Sequence, residues 1–110
     1  MAYDKELAQR LDEYFAENND AESKKMFGGL CYLIRHHMCV GIVGDSLMAR
    51  VGPKAYESCL KQKHVREMDF TGKAMKGMVF VAAKGIESDA ELYKWVSICE
   101  SFVKSLPPKT

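Results

Sequence analysis

The stretch from Met38 to Val51 constrains the fold most tightly. Two runs, Met38–Val43 and Ser46–Val51, flank Gly44-Asp45. Gly-Asp is a two-residue hairpin signal with glycine where a type II′ turn needs a positive φ. That turn pairs Val43 with Ser46, Ile42 with Leu47 and Val40 with Ala49. The second run alternates, with Leu47, Ala49 and Val51 on one face and Ser46, Met48 and Arg50 on the other. An isolated hairpin is marginal in water, so this one requires further strands and a covering layer.

A third strand, Leu30–Ile34, precedes the turn segment Arg35-His36-His37. A two-residue turn at His36-His37 pairs Leu33 with Val40 and Cys31 with Ile42. Cys31, Leu33, Val40, Ile42, Leu47, Ala49 and Val51 then share the core face. Tyr32, Ile34, Cys39, Gly41, Met48 and Arg50 share the other. His-His has no strong turn preference, and a slip of one residue would exchange the faces of the first strand.

Helical spacing appears three times. Leu7, Leu11, Tyr14 and Phe15 mark a first helix over about residues 4–17, ended by Asn18-Asn19-Asp20. Gly52-Pro53 opens a second, with proline at its first position and a stripe of Tyr56, Cys59 and Leu60. Ser88 and Glu91 form a capping box for the third, whose stripe is Leu92, Trp95, Val96, Cys99, Phe102, Val103 and Leu106. Pro107-Pro108 stops it. Val65–Phe70 and Met78–Ala83 read as two more strands joined by residues 71–77. The order α-β-β-β-α-β-β-α predicts a two-layer α+β fold, an antiparallel sheet with helices on one face.

At 110 residues the chain suits one domain, 1–110, large enough to bury a core without staples. Residues 1–22 carry seven acids and two bases; residues 50–84 carry eight bases and three acids. The overall net charge of +1 argues against wholesale gripping of nucleic acid. The local excess still defines a candidate basic patch of Lys54, Lys61, Lys63, Arg66, Lys73 and Lys76, beside Arg50. Asp4, Lys5 and Glu6 interrupt any leader-like apolar run, and no run suffices to span a bilayer. The expected location is cytoplasmic, with the four cysteines reduced.

Gly28-Gly29 at a strand entry invites a phosphate-loop reading, but neither GxxxxGK[ST] nor GxGxxG occurs. The glycine pair reads instead as a place of sharp bending or close backbone approach. Cys31, His36, His37 and Cys39 resemble a metal set on paper, yet the derived register puts the two cysteines on opposite faces, where tetrahedral zinc cannot use both. Cys39 would lie opposite Arg50, and no histidine is placed beside it as a base. No nucleophile elbow or carboxylate pair is evident. The expectation is therefore no catalytic, metal or cofactor-binding residue. Tyr32, Ile34, Met48 and Arg50, on a sheet face without helices, form a candidate interaction face.

The chain resembles the N-terminal domain of the TfoX/Sxy family of bacterial competence regulators from about Lys24 to Pro108. The likeness rests on Met26-Phe27-Gly28-Gly29 and on residues 44–53, from Gly44-Asp45 to Gly52-Pro53. It continues through Met68-Asp69-Phe70-Thr71-Gly72-Lys73, Lys76-Gly77, Asp89, Leu92 and Trp95, and ends with Ser105-Leu106-Pro107-Pro108 as in short members. The order and spacing of these pieces carry it. The resemblance implies the same α+β order and a regulatory, non-catalytic role. In full-length members this domain precedes a helical one and takes part in transcription activated through the cyclic-AMP receptor protein. The likeness covers the N-terminal domain alone.

Residues and resemblance together lead to a non-enzymatic interaction domain, forming a homodimer and engaging a protein partner in regulation. The rival readings are a nucleic-acid module using the basic patch, and a small-molecule binder or enzyme near Gly28-Gly29 and Lys73–Gly77.

Overall fold

The computed structural model describes residues 4–26, 29–69 and 74–106. Asp4 starts the first helix, α1 (Lys5–Phe15), by accepting the Glu6 and Leu7 backbone N–H groups at 2.9 and 3.4 Å. Its stripe Leu7, Ala8, Leu11 and Phe15 is buried. The chain continues as β1 (Ala21–Met26), β2 (Gly29–Ile34), β3 (His37–Val43), β4 (Ser46–Arg50), α2 (Pro53–Leu60), β5 (Val65–Asp69) and β6 (Ala74–Val81). A 3₁₀ turn (Ala83–Ile86) leads to α3 (Asp89–Lys104).

The sheet has the order β1-β2-β3-β4-β6-β5, antiparallel throughout. This is the predicted α+β class with its predicted order, and β1 is an additional edge strand. β6 begins at Ala74, ahead of the predicted Met78; Phe70 and the segment 71–73 lie outside the described residues.

The β3–β4 hairpin pairs as its turn dictates: Val43 with Ser46, Ile42 with Leu47, Val40 with Ala49. Gly44 has φ 62°. The first hairpin differs from expectation. Its turn is Arg35-His36, both at positive φ (52° and 71°), so Ile34 pairs with His37 and Leu33 with Met38. A bulge follows between Tyr32 and Leu33, after which Tyr32 faces Val40 and Leu30 faces Ile42.

The outcome is the exchange of faces that a one-residue slip produces. Tyr32 and Ile34 join Cys39, Val40, Ile42, Leu47, Ala49 and Val51 beneath the helices. Cys31 and Leu33 move to the opposite face, where Met48, Met78 and Phe80 complete a second buried cluster. The bulge puts adjacent Cys39 and Val40 in the same cluster, which simple alternation forbids.

All three helices contribute to the larger cluster: Leu11 from α1, Tyr56 and Cys59 from α2, and Leu92, Trp95, Val96, Cys99 and Val103 from α3. Full burial of an aliphatic side chain such as Leu11 or Leu92 stabilises by roughly 1.5–3 kcal/mol. Ser88 caps α3 by accepting the Glu91 N–H at 3.1 Å, and its hydroxyl donates to Glu91 Oε1 at 3.0 Å.

Candidate functional site

The predicted interaction face does not exist as one surface. Tyr32 is 3% exposed; its ring stacks on Phe15 with centroids 5.5 Å apart. Its hydroxyl reaches Asp12 Oδ1 at 2.8 Å and the Ala8 carbonyl at 3.1 Å, tying β2 to α1. Ile34 and Met48 are both fully buried, on opposite faces of the sheet. Arg50 is half-buried, donates to the Met38 carbonyl at 3.4 Å and lies 5.5 Å from the Phe102 ring centroid. The physical reason is the changed β2 register together with burial of the second face.

The basic patch is also divided. Lys54 and Lys61 are exposed near opposite ends of α2. Arg66 lies over Phe80, 4.5 Å from its ring centroid, on the sheet face that α2 does not cover. Lys73 lies outside the described residues, and Lys76 is placed only as part of β6.

Lys63 belongs to a different grouping. It lines a cleft of about 230 Å³ with His64, Lys84, Gly85, Gln62, Glu91, Lys94 and Trp95. No local motif announced this cleft, because its cations come from the turn after α2, the 3₁₀ turn and α3. A larger cleft, about 300 Å³, runs past Asp4, Asp45 and Glu87. Its one cation, Arg10, already pairs with Asp89 at 3.2 Å.

The signature residues serve the fold. At Gly29, a Cβ would come 1.9 Å from the Ile42 carbonyl oxygen, so the close approach anticipated for the glycine pair occurs here. Met26 ends β1, Phe27, Gly28 and Gly72 lie outside the described residues, and Trp95 is core at 3% exposure. The Gly77 carbonyl accepts the Val51 and Gly52 N–H groups at 2.9 and 3.0 Å, joining β6 to the start of α2.

All four cysteines are unbridged and buried. Burial pushes the Cys39 thiol up to about 12, with Glu100 adding to the effect against Lys104 and Arg50. Burial raises Cys31, Cys59 and Cys99 too. Nucleophilic or metal-binding sulfur requires the thiolate, which these surroundings disfavour. Cys31 and Cys39 do lie on opposite sheet faces, although on the reverse sides from those expected. Nearby, the Tyr14 hydroxyl donates to Glu100 Oε1 at 2.5 Å, and Lys104 Nζ lies 3.4 Å from Glu100 Oε2. Burial, then Glu100, raise the Tyr14 pKa, so the phenol stays protonated.

The geometry defines a small α+β domain with three helices on one side of a six-stranded antiparallel sheet and a second buried cluster on the other. Within that class, the family model of the TfoX N-terminal domain matches residues 13–103, and the chain belongs to this family. Neither a curated protein nor a solved structure matches it.

Proposed function

We propose that this domain is a non-enzymatic regulatory module that works through protein contacts, as a relative of competence regulators. The family match over residues 13–103 carries the reading. The buried, protonated thiols support it, since the described cysteines offer no ready nucleophile. Its proposed place is the cytoplasm, consistent with four unbridged cysteines. Among the described residues no helix is long and apolar enough to cross a membrane.

Self-association belongs to the same proposal. The sheet ends in two unpaired edges, β1 and β5; self-association is placed at β1, where Glu22, Ser23, Lys24 and Lys25 are exposed. An edge strand can pair with another chain, and edge lysines keep such pairing weak. Affinity capture from the native host with mass-spectrometric identification tests the partner role. Recovery of a transcription-associated protein, lost on competition with untagged domain, supports it; turnover of a substrate by the purified chain overturns it. Light scattering at rising concentration tests the dimer, and a strict monomer overturns that part.

A further inference from the structure

We propose that the cleft between the exit of α2, the 3₁₀ turn and the first half of α3 is an anion site for a small phosphorylated ligand. This goes beyond the regulatory reading and does not depend on it. Lys63, Lys84 and Lys94 converge on one cavity of about 230 Å³ from three separate elements. Its one carboxylate, Glu91, already accepts the Ser88 hydroxyl at 3.0 Å. Neither Lys63 nor Lys84 has an ion-pair partner among the described residues. Three lysines lining one small concavity make its potential positive, and an entering anion is attracted by all three.

The cleft is held in shape. Lys94 Nζ donates to Gln62 Oε1 at 3.3 Å and lies 5.7 Å from the Trp95 ring centroid, which places this ammonium beside one wall. His64 takes φ 67°, a conformation an L side chain seldom adopts. Its carbonyl accepts the Ala82 N–H at 2.7 Å, and Gly85 packs so closely that a Cβ there would lie 3.2 Å from His64 Cβ. A residue held this way beside a cavity is the kind of local strain that concentrates at ligand clamps.

Size and charge choose the ligand class. The volume falls below the roughly 300–1,000 Å³ usual for drug-sized molecules, so one or two phosphoryl groups suit it better than a whole nucleotide. Lysines act as point-charge phosphate binders, and the His64 ring can add a hydrogen bond. A nucleic-acid strand would need a continuing track of cations. Here Arg66 is engaged on Phe80 across the sheet, and Glu57 on α2 lies between Lys54 and the capping Lys61.

The test is calorimetric titration of the full chain with inorganic pyrophosphate, repeated for Lys63→Gln, Lys84→Gln, the double variant and Lys54→Gln as a control. Saturable binding is expected, with Kd rising about tenfold or more for each cleft lysine removed. Lys84→Arg should restore affinity to within a few-fold, and Lys54→Gln should leave it within about twofold. The two lysines are exposed, so melting temperatures without ligand should match the parent's; a variant that melts earlier is replaced by the matching Lys→Arg and Lys→Met pair. Absence of saturable heat, or equal affinity in the double variant, overturns the site. Tighter, steeply salt-dependent binding of a single-stranded oligonucleotide that relies equally on Lys54 and Lys61 overturns the small-ligand assignment in favour of nucleic acid.

Discussion

A Cβ at Gly29 would sit 1.9 Å from the Ile42 carbonyl oxygen and 3.0 Å from its carbon. Those atoms belong to β3 backbone, so no rotamer change relieves the clash. Gly29→Ala should therefore destabilise by about 1–3 kcal/mol, as overpacking does elsewhere, read from a lowered urea midpoint. Gly44 offers a contrast. Nothing lies within 4 Å of a Cβ there, and only its φ of 62° resists a side chain, so Gly44→Ala should cost about 1–2 kcal/mol. Thiols make the second prediction at this scale. The Cys39 pKa rises from an ordinary value near 9.0 to about 12 in the fold. Above pH 9 the unfolded thiol loses its proton while the folded one keeps it, so the unfolded state binds fewer protons and stability falls. The contribution is intact below about pH 9 and declines by ~1.4 kcal/mol per pH unit until about pH 12. Cys39→Ala should flatten the alkaline slope by that one-thiol share in urea titrations across this range.

The first hairpin shows where local sequence stops deciding structure. Gly44-Asp45 specifies its turn, and the β3–β4 register was readable from those two residues. Arg35-His36 has no such preference, yet it holds two side-chain-bearing residues at positive φ. The return comes from tertiary packing: the register buries Tyr32 and Ile34 beneath α1 and the other helices. Periodicity could not show this, because the Cys39 bulge puts two neighbours on one side. β1 was unreadable for another reason. Its edge carries Glu22, Ser23, Lys24 and Lys25, all exposed, so it has no alternating apolar signal. α3 was legible because its cap and its stripe are both local. The anion cleft was not, since Lys63, Lys84 and Lys94 meet only after the chain folds. Replacing Arg35-His36 with Asn-Gly should stabilise the protein by about 1 kcal/mol, because that pair adopts the turn with less strain. Loss of the exposed Arg35–Asp20 and His36–Glu22 contacts, 3.1 and 3.2 Å long, offsets little of this. A higher melting temperature with unchanged circular dichroism is the expected result.

For the whole molecule, the two faces of the sheet decide how association relates to stability. The second face already buries Cys31, Leu33, Met48, Met78 and Phe80 within one chain. The Cα radius of gyration, 12.8 Å, is that of a compact chain of this size, near the ~13 Å expected for about 100 residues. The second-face cluster is buried within one chain, so a dimer across the β1 edge should dissociate without unfolding. Met48 separates this account from one in which the second face is a docking surface. It is 0% exposed, and its terminal methyl lies 2.4 Å from where a Cβ on Gly41 would stand, so it fills the space over that glycine. Met48→Ala should cost about 2–5 kcal/mol through the cavity it leaves, whereas truncation of an exposed methionine stays within about 0.5 kcal/mol. Urea unfolding measures the first quantity, and light scattering measures association of the same variant at a temperature where it remains folded. The expected pair is a large stability loss with association unchanged. Unchanged stability with weakened association would return Met48 to an exposed contact face and remove the β1 edge from the proposal.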